Sequence, residues 1–221
     1  MKTCTPNDTK SAVLNAAERL FADRGFERTS LRIITAAAKA NLGAVNYHFK
    51  SKDALILAVL RRRMRPLNAE RLELLRKFEQ EAGGRPVPVR KILEALFRPA
   101  IQALTTPSKG GGYFLKLISL ALAEPGAYLL PLIREEFGAT AERFHAALRR
   151  ALPRASEEDI YWKLHFAIGA FVHTVAQTRV LTLSSKGLCK IDCVEETLGR
   201  IISFCAGGFE AKNDLVGQEK P

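Results

Sequence analysis

The chain predicts an all-α fold, on three observations. Apolar residues recur at spacings of three and four along most segments, beginning with Val13, Ala17, Leu20 and Phe21. No sustained alternation of apolar and polar residues and no hairpin signal appears, so there is nothing to build a sheet from. The periodic stretches are separated by clusters that stop or cap helices, among them Glu124-Pro125-Gly126, Pro153-Arg154-Ala155-Ser156 and Ser184-Ser185-Lys186-Gly187.

The first helix is expected to start after Asp8 or Thr9, either able to cap it, and to run to Arg24, where Gly25 ends it. The second starts after Thr29 or Ser30, with Leu31 and Ile34 inward, and stops near Ala38. The third follows Asn41 with Val45 and Phe49 turned to the core, and it is too short to hold without its neighbours. A long amphipathic segment runs from Ser51 toward Glu81, with Pro66 expected to kink or divide it. Its alternating Glu70, Arg71, Glu73, Arg76, Lys77 and Glu79 read as a solvated face. After the Gly83-to-Pro88 break come helices near 88–104, 112–123, 127–151, 157–182 and 192–208, and a polar tail after Phe209. The boundary falls inside the connecting helix, giving domains 1–52 and 53–221.

At 221 residues, 47% hydrophobic and 26% charged, the chain has the composition of a soluble globular protein. It shows no secretion signal and no run near the roughly 20 apolar residues of a membrane span, so a cytoplasmic location without membrane attachment is expected. The net charge of +11 is uneven: residues 1–65 hold 13 Lys or Arg against 5 Asp or Glu, and residues 66–221 hold 21 against 18. An excess at one end favours a bound polyanion, through release of its counterions.

That basic end contains two short helices joined by a tight turn, Thr29 to Phe49, the layout of a helix-turn-helix whose second helix enters the DNA major groove. Small residues at Gly43 and Ala44, beside Leu42, let the backbone approach the groove, and Asn46 can pair bidentately with adenine. Tyr47, His48 and Lys52 suit phosphate contacts that fix register. Ser30 and Arg32, at the start of the preceding helix, join the expected DNA-contacting set, as does Lys39 in the turn. Lys50 to Lys52 and Arg61, Arg62, Arg63 and Arg65 follow directly and extend the expected cationic surface.

The motifs Thr29-Ser30-Leu31-Arg32-Ile33-Ile34, Gly43-Ala44-Val45-Asn46-Tyr47-His48-Phe49 and Ser51-Lys52-Asp53-Ala54-Leu55 resemble the N-terminal domain of TetR-family transcriptional regulators over about 50 residues. One departure stands out, since Lys39 occupies the turn position where that family usually has glycine. A left-handed backbone there costs a non-glycine residue about 1 kcal/mol. The resemblance implies that the remainder is a helical ligand-binding and dimerisation domain. More narrowly, Asn41 to Phe49 and Ile160-Tyr161-Trp162-Lys163-Leu164-His165-Phe166-Ala167-Ile168-Gly169-Ala170 look like the PsrA-type repressors, which respond to long-chain fatty acids. The function so implied is a ligand-responsive regulator, working as a repressor, that binds a palindromic double-stranded operator as a homodimer and is released by a small hydrophobic effector.

An effector pocket is expected among apolar residues of the C-terminal part, with Phe97, Phe114, Leu117, Ile118, Phe137, Phe166 and His173 as candidates. For an acidic effector, Arg98, Arg134 or His173 could meet the carboxylate. Ala167, Gly169 and Ala170 in one late helix, and Gly199, Ala206, Gly207 and Gly208 in the other, permit close helix approach in a four-helix interface. A constitutive or architectural DNA binder without effector is the alternative reading.

Catalytic, metal and cofactor roles find no support. Glu142-x-x-His145 has di-iron spacing but no second copy, and Gly110-Gly111-Gly112 follows Lys109 where a phosphate loop needs the reverse order. The cysteines Cys4, Cys189, Cys193 and Cys205 complete neither a zinc set nor a disulfide framework, and reduced, mostly buried thiols are expected.

Overall fold

The computed structural model describes residues 6–105, 111–191 and 193–211, and every regular element among them is helical. In order these are α1 (Pro6–Arg24), α2 (Leu31–Ala38), α3 (Leu42–Phe49), α4 (Lys52–Ala82), α5 (Val89–Thr105), α6 (Gly111–Ala123), α7 (Leu129–Leu132), a π-helical turn (Ile133–Phe137), α8 (Gly138–Ala151), α9 (Glu157–Ala176), α10 (Thr178–Ser184) and α11 (Val194–Glu210). The chain divides into two compact units, Met1–Asn68 with Ala103–Ala139, and Ala69–Gln102 with Thr140–Pro221.

In the first unit, Val13, Ala17, Leu20 and Phe21 of α1 are buried with Phe26, Ile34, Val45 and Phe49, so three short helices share one core. Thr29 is fully buried because its hydroxyl donates to the Gly25 and Leu20 carbonyls, at 2.8 and 3.3 Å, closing the turn after α1. Helix α1 begins at Pro6, earlier than the sequence predicts. Proline's fixed φ and missing N–H suit a first helical turn, where that donor has no partner anyway. Ser51 caps α4 by accepting from the Ala54 N–H at 3.1 Å, and α4 then runs unbroken through Pro66.

The arginines that follow the head are not a free cationic surface, which corrects the sequence expectation. Arg63 meets the buried carboxylate of Glu18 at 2.7 Å, and Arg62 donates to Asn15 at 2.6 Å. Arg61 pairs with Glu135 and lies 3.2 Å from Glu136, while Arg65 donates to Glu136 at 3.1 Å. Asn68, on the same α4 stripe as Arg61 and Arg65, donates to the Glu136 backbone carbonyl. Both acids stand on the π-helical turn, where the wider i→i+5 ladder interrupts what the sequence predicts as one helix from 127 to 151.

Substituting Glu136→Gln should therefore lower stability by about 1–3 kcal/mol, since two guanidinium groups lose their shared charge partner. The estimate sits below that for a fully buried pair because Arg65 is largely exposed. Urea denaturation followed by circular dichroism reads this directly, and an unchanged midpoint would make the cluster ornamental.

In the second unit the α5 residues Ile92, Leu93, Leu96 and Phe97 are buried with Phe144, Leu148, Ile160, Leu164, Phe171 and Leu198. Phe97 and Phe171 stack at 4.7 Å with planes 3° apart. Arg143 pairs with Glu79 at 2.8 Å, and Arg76 pairs with Glu73 at 2.5 Å, so part of the charged face of α4 is tied as well as solvated. Helix α9 stops at Ala176, and α10 leaves it at 75°, where the sequence predicts one helix over 157–182. Gln177 sits outside the helical region (φ −110°, ψ 30°), and the flanking Thr174 and Thr178 hydroxyls bond back to the Ala170 and Val175 carbonyls.

Candidate nucleic-acid interface

Helix α3 is two-sided at a four-residue spacing. Val45 and Phe49 are 1% and 5% exposed, whereas Leu42, Gly43, Asn46 and Tyr47 face solvent, Tyr47 at 81%. Residues 42 and 46 lie one turn apart, as do 43 and 47, so four groups form one outward stripe. His48 is half-buried against Tyr47 and Phe49, with ring centroids 5.2 and 6.1 Å away, which fixes the Tyr47 ring from one side. At Gly43 an added Cβ would meet only the Asn41 side-chain oxygen, at 3.4 Å, so the helix is otherwise open on that side. The side chain of Ala44 lies outside the described ones.

The turn that aims this stripe is built on Lys39. Its backbone is left-handed (φ 51°, ψ 38°), and the Ala40 N–H donates to the Thr35 carbonyl at 3.0 Å while the Lys39 N–H donates to Ala36 at 3.3 Å. This is a Schellman closure of α2, carried by a lysine where glycine is the low-cost residue. Lys50 is also left-handed, with φ 62°, and ends α3 by the simpler αL motif, its N–H donating to the Asn46 carbonyl at 3.1 Å. Lysines in left-handed conformation thus bracket α3. The sequence reading counts Lys50 only as part of the cationic run after α3, although its place directly after Phe49 also marks it as a helix stop.

The Ser30 hydroxyl accepts from the Ile33 N–H at 3.4 Å and so caps α2, while Arg32 stands exposed in its first turn. Lys52 reaches back to the Glu27 carbonyl at 3.3 Å, tying the start of α4 to the loop after α1. Ser30, Arg32, Lys39, Leu42, Gly43, Asn46, Tyr47, His48 and Lys52 all belong to the first unit.

Lys39→Gly should leave the head folded and shift its stability by no more than about 1 kcal/mol, because relief of the left-handed strain opposes the added freedom of the unfolded chain. It should also weaken binding to a DNA duplex selected from a random pool and reduce the salt slope by roughly one phosphate. An affinity that stays unchanged across the salt series removes Lys39 from the contact set.

The effector candidates are scattered. Leu117 and Ile118 are buried in the first unit, and Phe137 is half-buried in the π-helical turn. Phe97 is core in the second unit, whereas Phe166 is 61% exposed on α9 and stacks on Trp162 at 5.5 Å, and His173 is exposed. The side chain of Phe114 lies outside the described ones. Arg98 is engaged, bound to both Glu94 and Glu195, which raises its pKa through the Glu195 hydrogen bond first. Arg134 is exposed. Sequence reasoning missed Arg71, whose pKa burial pushes down to about 10 and whose Nε donates to the Leu96 carbonyl at 2.9 Å. Its run of alternating charges reads as solvated, so only the fold reveals it.

Two thiols correct the sequence expectation: Cys189 and Cys193 are exposed in the segment between α10 and α11, where no helix covers them, while Cys205 is buried in α11. Burial raises the Cys205 pKa. Cys4 lies outside the described residues.

Residues 13–59 match the family described as bacterial regulatory proteins, tetR family, and residues 94–208 match the tetracyclin repressor-like C-terminal domain. Over 53 residues the chain is 49% identical to the HTH-type transcriptional repressor Rv3405c of Mycobacterium tuberculosis, a stretch covering 24% of this chain and 28% of that protein. The chain thus spans little more than a quarter of the length of the curated relatives it matches. The hemolysin II transcriptional regulator HlyIIR shares its fold with a TM-score of 0.56 at 21% identity, over 90% of this chain and 98% of that one. SCO4454, a TetR-family transcriptional regulator from Streptomyces coelicolor, does so at 0.59 and 18% identity, over 93% and 97%. At these identities the likeness is one of fold. With a helix-turn-helix head and a helical C-terminal part each matched by its own half of the family, the chain belongs to the TetR family of bacterial regulatory proteins.

Proposed function

We propose that the protein is a cytoplasmic, ligand-responsive transcriptional repressor that binds a palindromic operator as a homodimer and is released by a small hydrophobic effector, a fatty acid or acyl derivative. The observation that carries the DNA reading is the outward stripe Leu42, Gly43, Asn46 and Tyr47 on a helix whose opposite side is core. In this reading residues 1–52 read DNA and residues 53–221 hold effector and partner. The acyl preference rests on the resemblance of Asn41 to Phe49 and Ile160 to Ala170 to PsrA-type repressors. The carboxylate of an acid would meet Arg134 or His173, the two exposed members of the expected set.

Dimerisation is assigned to the outer faces of α9 and α11. Both helices bury one side in their own unit and expose another that is apolar: Trp162, Phe166 and Ile168 on α9, and Phe204 on α11 at 73%. Gly169, Gly199, Gly207 and Gly208 have open space where a Cβ would stand, which admits a close second helix. Ala167 and Ala206, expected to serve the same approach, are buried toward their own unit instead.

Release follows if effector favours a conformer in which the two heads no longer match successive grooves, and effector can shift affinity only by its differential binding to the two conformers. Helix α4 runs from the first unit into the second, as the ends of α5 and α8 also do, and the Arg61, Arg65 and Asn68 ties to the π-helical turn give its first half a defined seat. Titrating acyl chains of increasing length against a selected, labelled duplex tests the reading. Affinity should fall on adding one chain-length class; affinity unmoved by every acyl and non-acyl hydrophobe tried would leave an architectural DNA binder.

A further inference from the structure

Between the proposed dimer helices, the segment from Thr178 to Lys190 has an unusual surface. Helix α10 has no buried residue, and Val180, Leu183 and Leu188 are 56%, 67% and 90% exposed. Leu181 is exposed as well. The segment is nonetheless well tied internally. Thr182 donates to the Thr178 and Cys189 carbonyls, both at 3.1 Å, Ser185 accepts from the Cys189 N–H at 3.0 Å, and the Gly187 N–H closes on the Thr182 carbonyl at 2.8 Å. A preformed apolar hook loses little freedom on docking, which favours a specific partner over chance adhesion.

Its charge names the partner. No Asp or Glu occurs from Ile160 to Ile191, and the hook exposes Arg179, Lys186 and Lys190, whereas the opposite end of α9 exposes Glu157 and Glu158. A 20-residue helix spans about 30 Å. When the two-fold axis stands perpendicular to α9, its two copies run antiparallel, and the segment following Ala176 in one copy then arrives at the start of α9 in the other. The 75° bend at Gln177 directs it off the line of its own helix.

We propose that residues 178–190 form an arm that docks on a second copy of this chain, Val180, Leu181 and Leu183 against its apolar α9 face and Arg179 and Lys186 against Glu157 and Glu158 of the partner subunit. The inference rests on the α9–α11 dimer and adds to it an exchanged, charge-keyed arm that sets which copies pair.

The test uses two full-length variants, Arg179→Glu with Lys186→Glu, and Glu157→Lys with Glu158→Lys. All four side chains are at the surface, so circular dichroism should match the parent. Each variant alone should dimerise roughly ten- to a hundredfold more weakly by sedimentation equilibrium, because each defect occurs twice per dimer. Mixed, the two should form heterodimers in preference to either homodimer, since one arm–acid contact is then native and the other is restored with signs reversed. Val180→Ser with Leu183→Ser should weaken dimerisation without that preference. Dimerisation equal to the parent in all variants overturns the arm while leaving the α9–α11 dimer intact, and a parent chain that is monomeric at micromolar concentration overturns both. Binding of the arm to vesicles of anionic lipid, lost in Arg179→Glu with Lys186→Glu while dimerisation is unchanged, would give the surface to a membrane instead.

Discussion

Replacing Asn46 and Tyr47 together by alanine should remove sequence preference while leaving a salt-sensitive, non-specific affinity for DNA. Both side chains are exposed on α3, and Tyr47 touches no core group beyond the edge of His48, so the loss of folded stability should stay within about 0.5 kcal/mol. An asparagine paired with adenine discriminates by about 1–3 kcal/mol, and each half-site loses that contact once. Across two half-sites, with the Tyr47 contribution to register added, specific affinity should drop roughly a hundred- to a thousandfold toward the non-specific level. The salt slope should change far less than the affinity, since most cations that meet phosphate are untouched. Val45→Ala is the informative control: it sits on the buried side of the same helix and should lower the melting temperature rather than relax base preference. Competition between the selected duplex and random-sequence duplex measures the ratio, and a double variant that keeps the parent's ratio would remove α3 as the reading element.

Local chemistry was legible wherever a residue acts on its near neighbours. Gly25 stops α1 with φ 85°, Ser30 and Ser51 cap the helices they precede, and the four-residue spacing of Val45 and Phe49 identifies the core side of α3 before any coordinate is known. Even the unusual Lys39 signals a left-handed turn by standing where glycine belongs. What the sequence hid depends on partners far along the chain. Arg61 and Arg65 look like DNA cations because Glu135 and Glu136 lie some 70 residues away, and Arg63 because Glu18 lies 45 away. The π-helical turn was equally silent, since no local residue marks an extra member per turn. The break at Gln177 left only a faint trace in the threonines on either side, which bond back to the helix as readily as they continue it. The effector candidates fared by burial: apolar residues at helical spacing are alike in sequence whether they fill a core, as Phe97 does, or await a partner, as Phe166 does.

That difference makes Phe166→Glu with Phe204→Glu the more demanding variant. Neither side chain contributes to its own unit's core, at 61% and 73% exposure, so a monomer carrying both changes should keep its helix content. In an isologous dimer every residue meets the same surface of its partner, and four new carboxylates would be driven into one desolvated patch. The expected result is a folded monomer at micromolar concentration. Its consequence for DNA follows from effective concentration: once one head of a dimer is bound, the second sees its half-site at roughly millimolar local concentration, and a monomer forfeits that gain. Affinity for the full operator should then fall by more than about a thousandfold and converge on that for an isolated half-site, whereas Asn46 and Tyr47 would still impose base preference on each half. Sedimentation velocity and binding to full and half operators separate the two effects. A variant that remains dimeric would place the subunit contact somewhere other than the α9–α11 face, and a monomer that binds the full operator as tightly as the parent would mean that pairing of heads plays no part in recognition.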